Sequence, residues 1–393
     1  MDATNMVRTG SRGRWAVAAL FFMNGFLSGS WAPQIPVFLT RLGISEFMLG
    51  LLILLFGVGA VTAMPWSGYL MSRHGSQKVV RGFGIVAAFG LLGVALAPNV
   101  PVAAIAMFLF GGLIGGMDVA MNANAVAVER YMSRAIMSSS HAFWSLGGFF
   151  GGGAGGLVIQ NYGHLTHAIG VTLIALAVLA VSYRHVIADK APATHEHHKI
   201  SLPKSPTVYL VGLMALFSMI PEGAVLDWAA LYLQQERGTD LATAGFAFGL
   251  FAGAMALMRF LGDGVRNRFG AVNTLRISSL IAAAGMLIAG LSTEPWLVIA
   301  AFALSGIGIA NVVPIIFSAG GNQPGMASTT GMSVVTTMGY SGILLAPSAI
   351  GFTAEHTGGF SMIFVALSGL LVVVFLMGRL VHTADFDHGK PGK

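Results

Sequence analysis

Residues 115–122 read Gly-Gly-Met-Asp-Val-Ala-Met-Asn and place Asp118 in a run that has no other charge from Pro101 to Val128. A run of this length suits a membrane-spanning helix, which needs about 20 apolar residues. A carboxylate at the centre of a bilayer costs at least about 2.5 kcal/mol, so it persists where it faces protein or water and has a function. Asn122 follows one helical turn later, so both polar groups share one helix face.

The whole composition indicates a membrane protein. Charged residues make up 9% of the chain and hydrophobic residues 55%, with a mean hydropathy of +0.77, whereas soluble proteins are about 25% charged. Apolar runs of bilayer length predict an all-α fold with twelve transmembrane helices. Their ranges are 15–38, 46–71, 79–97, 101–127, 137–159, 165–185, 206–234, 241–261, 272–291, 295–318, 328–350 and 358–381.

The basic residues predict the orientation. Of the 21 Lys and Arg residues, all except Arg41, Arg237 and Arg259 fall on one side of the membrane if the N terminus is cytoplasmic. This asymmetry follows the positive-inside rule and predicts that both termini are cytoplasmic. The basic pI therefore reflects topology, and no interleaved basic and aromatic pattern indicates a nucleic-acid partner. Short loops favour a multi-pass, monomeric protein of a bacterial inner membrane, surrounded by the lipid bilayer.

Two landmarks recur half a chain apart. The loop after the second run reads Gly68-x-x-x-Ser72-Arg73-His74-Gly75, and the loop after the eighth reads Asp263-x-x-x-Asn267-Arg268-Phe269-Gly270. Ser30-Trp31-Ala32 in the first run is echoed by Asp227-Trp228-Ala229 in the seventh. The repetition predicts two six-helix bundles related by a pseudo-two-fold axis. They comprise residues 1–185 and 206–393, joined by a cytoplasmic linker at 186–205.

The helix count, the loop motif and the duplication resemble the major facilitator superfamily along the whole chain. Its signature, Gly-x-x-x-Asp-Arg-x-Gly-Arg/Lys between helices two and three, is matched by Gly68, Arg73 and Gly75, while Ser72 replaces the acid. In the family that acid joins a charge cluster that holds the cytoplasmic side closed, so the cluster here must be weaker or differently built. The resemblance implies a gating role for these residues and for Asn267 and Arg268 of the second copy.

Arg259 lies one turn before the second loop, and we group it with this gate. A long cationic side chain near a helix end can extend to the interface. If Arg259 extends to the interface, no Lys or Arg side chain remains at the centre of the membrane. An anionic substrate is therefore disfavoured.

Within the superfamily, the chain resembles the fucose-permease type of proton–sugar symporter. The fourth helix of that group carries an acid, three residues and Asn, as Asp118 and Asn122 do here. Its tenth helix carries a Pro-x-Ile-Phe-Ser stretch, which residues 314–318 match. Two features differ: Ala123 stands where that group has Pro, and the first helix here has no acid.

Polar and aromatic residues inside the apolar runs predict the transport site. Asp118, Glu222 and His141 are predicted to couple protons, because intramembrane carboxyls and imidazoles are typical of proton relays. Amide side chains would bind substrate hydroxyls and indole rings would stack on an apolar face. The predicted substrate-binding residues are Asn24, Trp31, Gln34, Asn122, Trp144, Asp227, Trp228, Asn311 and Tyr340.

Three local patterns predict backbone features. Pro33 and Pro36 predict a bend in the outer third of the first helix. Pro221 beside Gly223 predicts a kink or local unwinding in the seventh helix, where transporters bind substrate. Two overlapping Gly-x-x-x-Gly ridges between residues 147 and 156 predict close contacts with other helices.

The sequence points away from cofactor chemistry. It has no Gly-x-x-x-x-Gly-Lys-Ser/Thr nucleotide motif and no Cys, and the His-rich tract at 195–198 lacks the spacing of a metal site. We therefore predict no enzyme activity, no metal and no cofactor. The energy source would be a proton gradient.

The preferred function is a secondary active transporter that moves a small solute by alternating access, with proton-coupled import of a sugar-like neutral solute. The alternative is proton-driven efflux of cationic or amphiphilic compounds. The three intramembrane acids Asp118, Glu222 and Asp227 outnumber the one possible intramembrane base, Arg259, and 21 Met and 26 Phe residues can form an adaptable wall. A non-transporting receptor or scaffold is disfavoured, because polar groups at matching depths in both halves are costly without a pathway.

Overall fold

The computed structural model describes residues 3–132, 136–189, 203, 205–326 and 328–384. These residues contain twelve segments that are long and apolar enough to cross a membrane, and we number them spans 1 to 12. The helices are Ala3–Gly29 and Ile35–Leu42 in span 1, Glu46–His74 in span 2, Ser76–Ala87 and Gly90–Leu96 in span 3, Val100–Met132 in span 4, Met137–Tyr162 in span 5, His164–Tyr183 in span 6, Pro206–Arg237 in span 7, Leu241–Phe269 in span 8, Ala271–Leu291 in span 9, Pro295–Gly321 in span 10, Ser328–Thr357 in span 11 and Ser361–Leu376 in span 12, with a final 3-10 segment at Met377–Ala384.

The prolines of spans 1 and 7 have different effects. In span 1 the α-helix ends at Gly29, a 3-10 turn follows at Ala32–Gln34, and the helix resumes at Ile35, so the predicted bend is confirmed. Span 7 is one continuous helix across Pro221, so the predicted local unwinding is wrong, while the kink that the same pattern predicts stays a prediction. A single Pro removes only one backbone donor, so the rest of the helix can continue.

The two glycine ridges of span 5 face two different helices. A Cβ atom on Gly147 would lie 2.6 Å from the Phe26 nitrogen of span 1. On the other ridge, a Cβ atom on Gly152 would lie 2.9 Å from the Phe248 ring of span 8. The predicted close packing is therefore confirmed, and one ridge holds span 5 within its own half while the other contacts the opposite half.

Spans 1–6 and 7–12 form two six-helix bundles. We call the end at Gly43, Gly163, Gly238 and Gly358 the closed end, because the halves meet there. The rings of Phe47 (span 2) and Phe352 (span 11) lie 5.6 Å apart. The opposite end, which carries most Lys and Arg residues, we call the basic end.

Toward the basic end, spans 5 and 8 of opposite halves stay in contact through the rings of Phe143 and Phe260, 5.8 Å apart, whereas spans 2 and 11 do not. The contact between spans 2 and 11 extends to Gly57, where a Cβ atom would lie 2.6 Å from the Leu344 side chain. One turn closer to the basic end, Tyr340 is 39% exposed. Asp118 and Glu222 are also partly exposed, and we call the space that these three side chains border the cavity.

The predicted linker at 186–205 lies mostly outside the described residues, as does the His-rich tract within it. Its first residues are described and dock on the N-terminal half. The Asp189 carboxylate accepts hydrogen bonds from the backbone N–H groups of Ser76 at 2.8 Å and Gln77 at 3.3 Å. Asp189 thereby caps the first turn of span 3, where helices have unsatisfied donors.

Candidate functional site

A polar cluster joins the two halves near the middle of the membrane. Arg259 of span 8 pairs with Glu222 of span 7, with Nη2 and Oε1 3.6 Å apart. Its Nη1 donates a hydrogen bond of 2.6 Å to the Ser145 hydroxyl of span 5, in the opposite half. Arg259 is thus a central residue, and the expectation that it extends to the interface is wrong. The premise that disfavoured an anionic substrate, the lack of a central base, is therefore wrong as well, while the gating role of Arg259 stays a prediction.

His141 lies one turn from Ser145 on span 5. Its ring makes an edge-to-face contact with Phe21 of span 1, with the ring centroids 5.0 Å apart. It is also close enough to Arg259 to interact with the guanidinium charge. The predicted proton-coupling residues His141 and Glu222 are therefore both neighbours of Arg259.

Asp118 and Asn122 lie together on span 4, as their spacing predicts. The Asn122 amide donates to the Asp118 backbone carbonyl at 2.9 Å and to its carboxylate at 3.3 Å. Tyr340 of span 11 is close enough to both Asp118 and Glu222 to interact with their charges. The cavity therefore brings a carboxyl from each half to one tyrosine.

Four predicted substrate-binding residues are instead buried toward the closed end. Asp227 is 6% exposed and Trp31 is 4% exposed, and the two side chains approach each other across the halves. The buried Gln34 amide donates to the His164 carbonyl and contacts His167 Nδ1, both at 2.9 Å. Trp228 is fully buried against Phe360.

Three further predicted residues have structural contacts inside one half. The buried Asn24 amide donates to the Ile114 carbonyl at 3.1 Å, and its oxygen accepts a 2.9 Å hydrogen bond from the Trp144 indole. These bonds tie span 1 to spans 4 and 5. Asn311 is 6% exposed in span 10 and packs against Gly262 of span 8. Of the nine predicted substrate residues, Asn122 and Tyr340 are the two that belong to the central cluster.

The predicted gate residues lie at the basic end. Arg73, Asn267 and Arg268 are exposed, and the Arg73 guanidinium lies over the Tyr69 ring at 4.7 Å. Gly68 is half-buried and Gly75 adopts a φ of +76° at the start of span 3. Their gating role stays a prediction.

Sequence reasoning missed two residues of these sites. Ser145 follows His141 by one turn, and that spacing on an apolar helix is the signal that could have identified it. Asp189 provides an acid at the span 2–3 loop, where Ser72 replaces the acid of the loop motif. No local pattern indicates Asp189, because its partners lie more than 100 positions earlier.

Comparisons with known proteins agree with this architecture. A family model described as Major Facilitator Superfamily matches residues 17–347 and, in a second match, residues 211–391. An uncharacterized MFS-type transporter of Yersinia pestis is 35% identical over 92% of this chain and 94% of its own length.

Two solved structures show the same fold. A point mutant of the nucleoside transporter NupG has a TM-score of 0.75 at 13% identity, covering 94% of this chain and 99% of that chain. A point mutant of the Escherichia coli fucose:proton symporter FucP has a TM-score of 0.62 at 18% identity, covering 94% of this chain and 98% of that chain. With the family match over most of its length, this chain belongs to the major facilitator superfamily of membrane transporters.

Proposed function

We propose that the protein imports a small, neutral, hydroxyl-rich solute together with protons, and that Asp118 is the coupling carboxyl. One observation carries this proposal: Glu222 is paired with Arg259, while Asp118 has Asn122 as its hydrogen-bond partner and no ion pair among the described residues. The charges of Glu222 and Arg259 cancel. The protonation of Asp118 therefore decides whether these three groups are neutral or carry one negative charge.

A neutral cluster suits a neutral solute. Binding of the solute displaces water, and loss of water penalises an ionised carboxylate much more than a protonated one. The solute therefore binds better when Asp118 carries a proton. By linkage, the bound solute strengthens proton binding by the same factor. Asn122, Tyr340 and Ser145 offer groups that match the hydroxyls of such a solute.

The alternative function rests on the same carboxyl. An unpaired carboxylate attracts a cationic solute, which would then compete with the proton instead of binding with it. Such competition is the basis of proton-driven efflux. The two functions therefore predict opposite effects of pH on ligand affinity.

Ligand binding at two pH values separates these functions. The purified protein is screened by thermal shift against hexoses, deoxyhexoses and quaternary amines, with Asp118→Asn as the test variant and Asp240→Asn as the control for an exposed carboxylate. Import of a neutral solute predicts sugar binding that tightens as the pH falls and becomes independent of pH in Asp118→Asn. Quaternary-amine binding that tightens as the pH rises and is lost in Asp118→Asn would establish the alternative.

We also propose that the basic end faces the cytoplasm of a bacterial inner membrane and that the protein acts as a monomer. The distribution of Lys and Arg supports this orientation. Because the chain has no Cys, a Cys at the exposed Thr293 of the opposite end can be labelled uniquely. A membrane-impermeant thiol reagent should label this Cys in intact cells, and labelling only in inverted vesicles would reverse the orientation.

A further inference from the structure

Span 7 carries a second carboxyl, Asp227, in the contact between the halves. Asp227 is 6% exposed and its neighbour Trp31 is 4% exposed. Trp31 belongs to span 1 of the N-terminal half. The pair therefore lies where spans 1 and 7 must separate if the closed end is to open.

No cation compensates Asp227 among the described residues. The nearest titratable or charged groups on its own span are Glu222, which pairs with Arg259, Tyr232, which donates a hydrogen bond to the Ala289 carbonyl, and the Glu236–Arg237 pair near the end of the helix. The titratable and charged groups at the closed end of the other spans are Arg41, Glu46, Tyr162, His164, His167, Asp240, Glu294, Glu355 and His356. Of these, Arg41 is bound to the Ala97 and Val94 carbonyls, and Asp240, Glu294, Glu355 and His356 are exposed.

An ionised carboxylate is costly in such a place. Removing a charge from water without a partner costs several kcal/mol, whereas a protonated carboxyl is a neutral polar group with a much smaller penalty. Separation of spans 1 and 7 would admit water and remove the penalty on the charged form. The closed and open states of this end therefore differ in their affinity for a proton.

We propose that Asp227 is a proton-binding gate residue: closing this end takes up one proton onto its carboxylate from the water on that side, and opening releases that proton to the same side. The proton returns to where it came from, so this site carries no net transport and is separate from the coupling role of Asp118. Proton binding at Asp227 makes the opening and closing of this end depend on the pH of the compartment that the end faces.

The sign and size of the effect follow from linkage. The closed state binds one more proton, so a lower pH favours closure and a higher pH favours opening. For one proton, the ratio of open to closed molecules changes by up to about tenfold per pH unit. Outside the titration range of Asp227 the ratio becomes constant.

Distances between two spin labels test this proposal without a substrate. Thr166 in span 6 and Thr293 before span 10 are exposed at the closed end of opposite halves, and the chain has no other Cys to be labelled. The double variant Thr166→Cys/Thr293→Cys is spin-labelled and placed in lipid nanodiscs. The distance between the two labels is then measured by double electron–electron resonance between about pH 5 and 9. The long-distance population should rise relative to the short one as the pH rises.

Three variants assign the proton to Asp227. Asp227→Asn mimics the neutral acid and should keep the short distance at every pH. Asp240→Asn removes an exposed carboxylate at the same end and should keep the pH dependence of the parent. Trp31→Phe removes the polar indole N–H next to Asp227 but keeps an aromatic ring, and should lower the closed population while the pH dependence remains.

Two results would overturn the proposal. One is a distance ratio in the parent protein that does not change with pH. The other is a pH dependence that survives in Asp227→Asn. Neither depends on ligand binding, so a failure of the proposed function at Asp118 would be recognised separately.

Discussion

Span 7 carries two carboxyls whose surroundings differ. Glu222 has a side chain that is 21% exposed and pairs with Arg259, which itself donates a hydrogen bond to Ser145 of the opposite half. Asp227, one and a half turns further along, is buried against Trp31 with no ion pair among the described residues. A wet site can keep its charges because water and a partner compensate them, whereas a dry contact favours a neutral group.

The largest expected effect concerns the central cluster. Asp118→Asn should abolish gradient-driven accumulation, because the remaining Glu222–Arg259 pair has no net charge to change. Exchange of labelled for unlabelled solute across proteoliposomes should remain measurable, since exchange needs no net proton movement. Loss of both activities in a correctly folded protein would instead assign Asp118 to substrate binding or structure.

The next effect concerns the ion pair itself. Arg259→Gln leaves Glu222 without its counter-charge and should lower the free energy of unfolding by about 1–3 kcal/mol. This is less than the 3–5 kcal/mol of a fully buried pair, because the two side chains remain 14% and 21% exposed. Thermal unfolding in detergent measures the loss. Adding Glu222→Gln should recover part of it, and strictly additive losses would contradict an interaction between the two residues.

A third prediction targets the contact between the halves. A Cβ atom on Gly249 would lie 2.7 Å from the Gly153 Cα of span 5, so Gly249→Ala should push spans 5 and 8 apart. Overpacking of this kind costs about 1–3 kcal/mol, and it should shift the population away from the closed-end contact. Gly170→Ala is the matched control, because a Cβ atom there meets nothing within 4 Å. The spin-label distances described above provide the measurement.

The smallest effect concerns the exposed rim of the closed end. Asp240 caps span 8 by accepting a 2.7 Å hydrogen bond from the Thr243 backbone N–H, and this bond holds the pKa of Asp240 below its usual value. Its contribution to stability is therefore present above the unfolded-state pKa of about 4 and is lost as the pH falls through the folded-state value. Asp240→Ala should cost about 0.5–1 kcal/mol at neutral pH.

Asn99 provides the matched control for this cap. Its side-chain oxygen accepts a 3.1 Å hydrogen bond from the Val102 backbone N–H at the start of span 4. Asn99→Ala should destabilise the protein by a similar amount at every pH, because an amide does not titrate. Equal pH profiles for the two variants, measured by chemical unfolding, would contradict the role of the Asp240 charge.

Much of the fold was predictable from local patterns. Hydrophobic runs predict the twelve spans, because a bilayer requires long apolar helices with satisfied backbones. The spacing of Asp118 and Asn122 predicts one shared face, and the observed hydrogen bond between them confirms it. The glycine ridges of span 5 predict close helix contacts, since small residues let backbones approach.

The partners of the polar groups were decided by tertiary structure alone. A guanidinium inside the membrane, such as that of Arg259, needs hydrogen-bond acceptors. The sequence does not say which, because a long side chain can reach either toward the interface or toward a neighbouring helix. Trp31, Asp227 and Asn24 likewise have the composition of a solute site, yet they pack in a dry contact or within one half. Periodicity reports which side of a helix is polar, and only the packing of twelve helices determines whether that side meets water, a substrate or another helix.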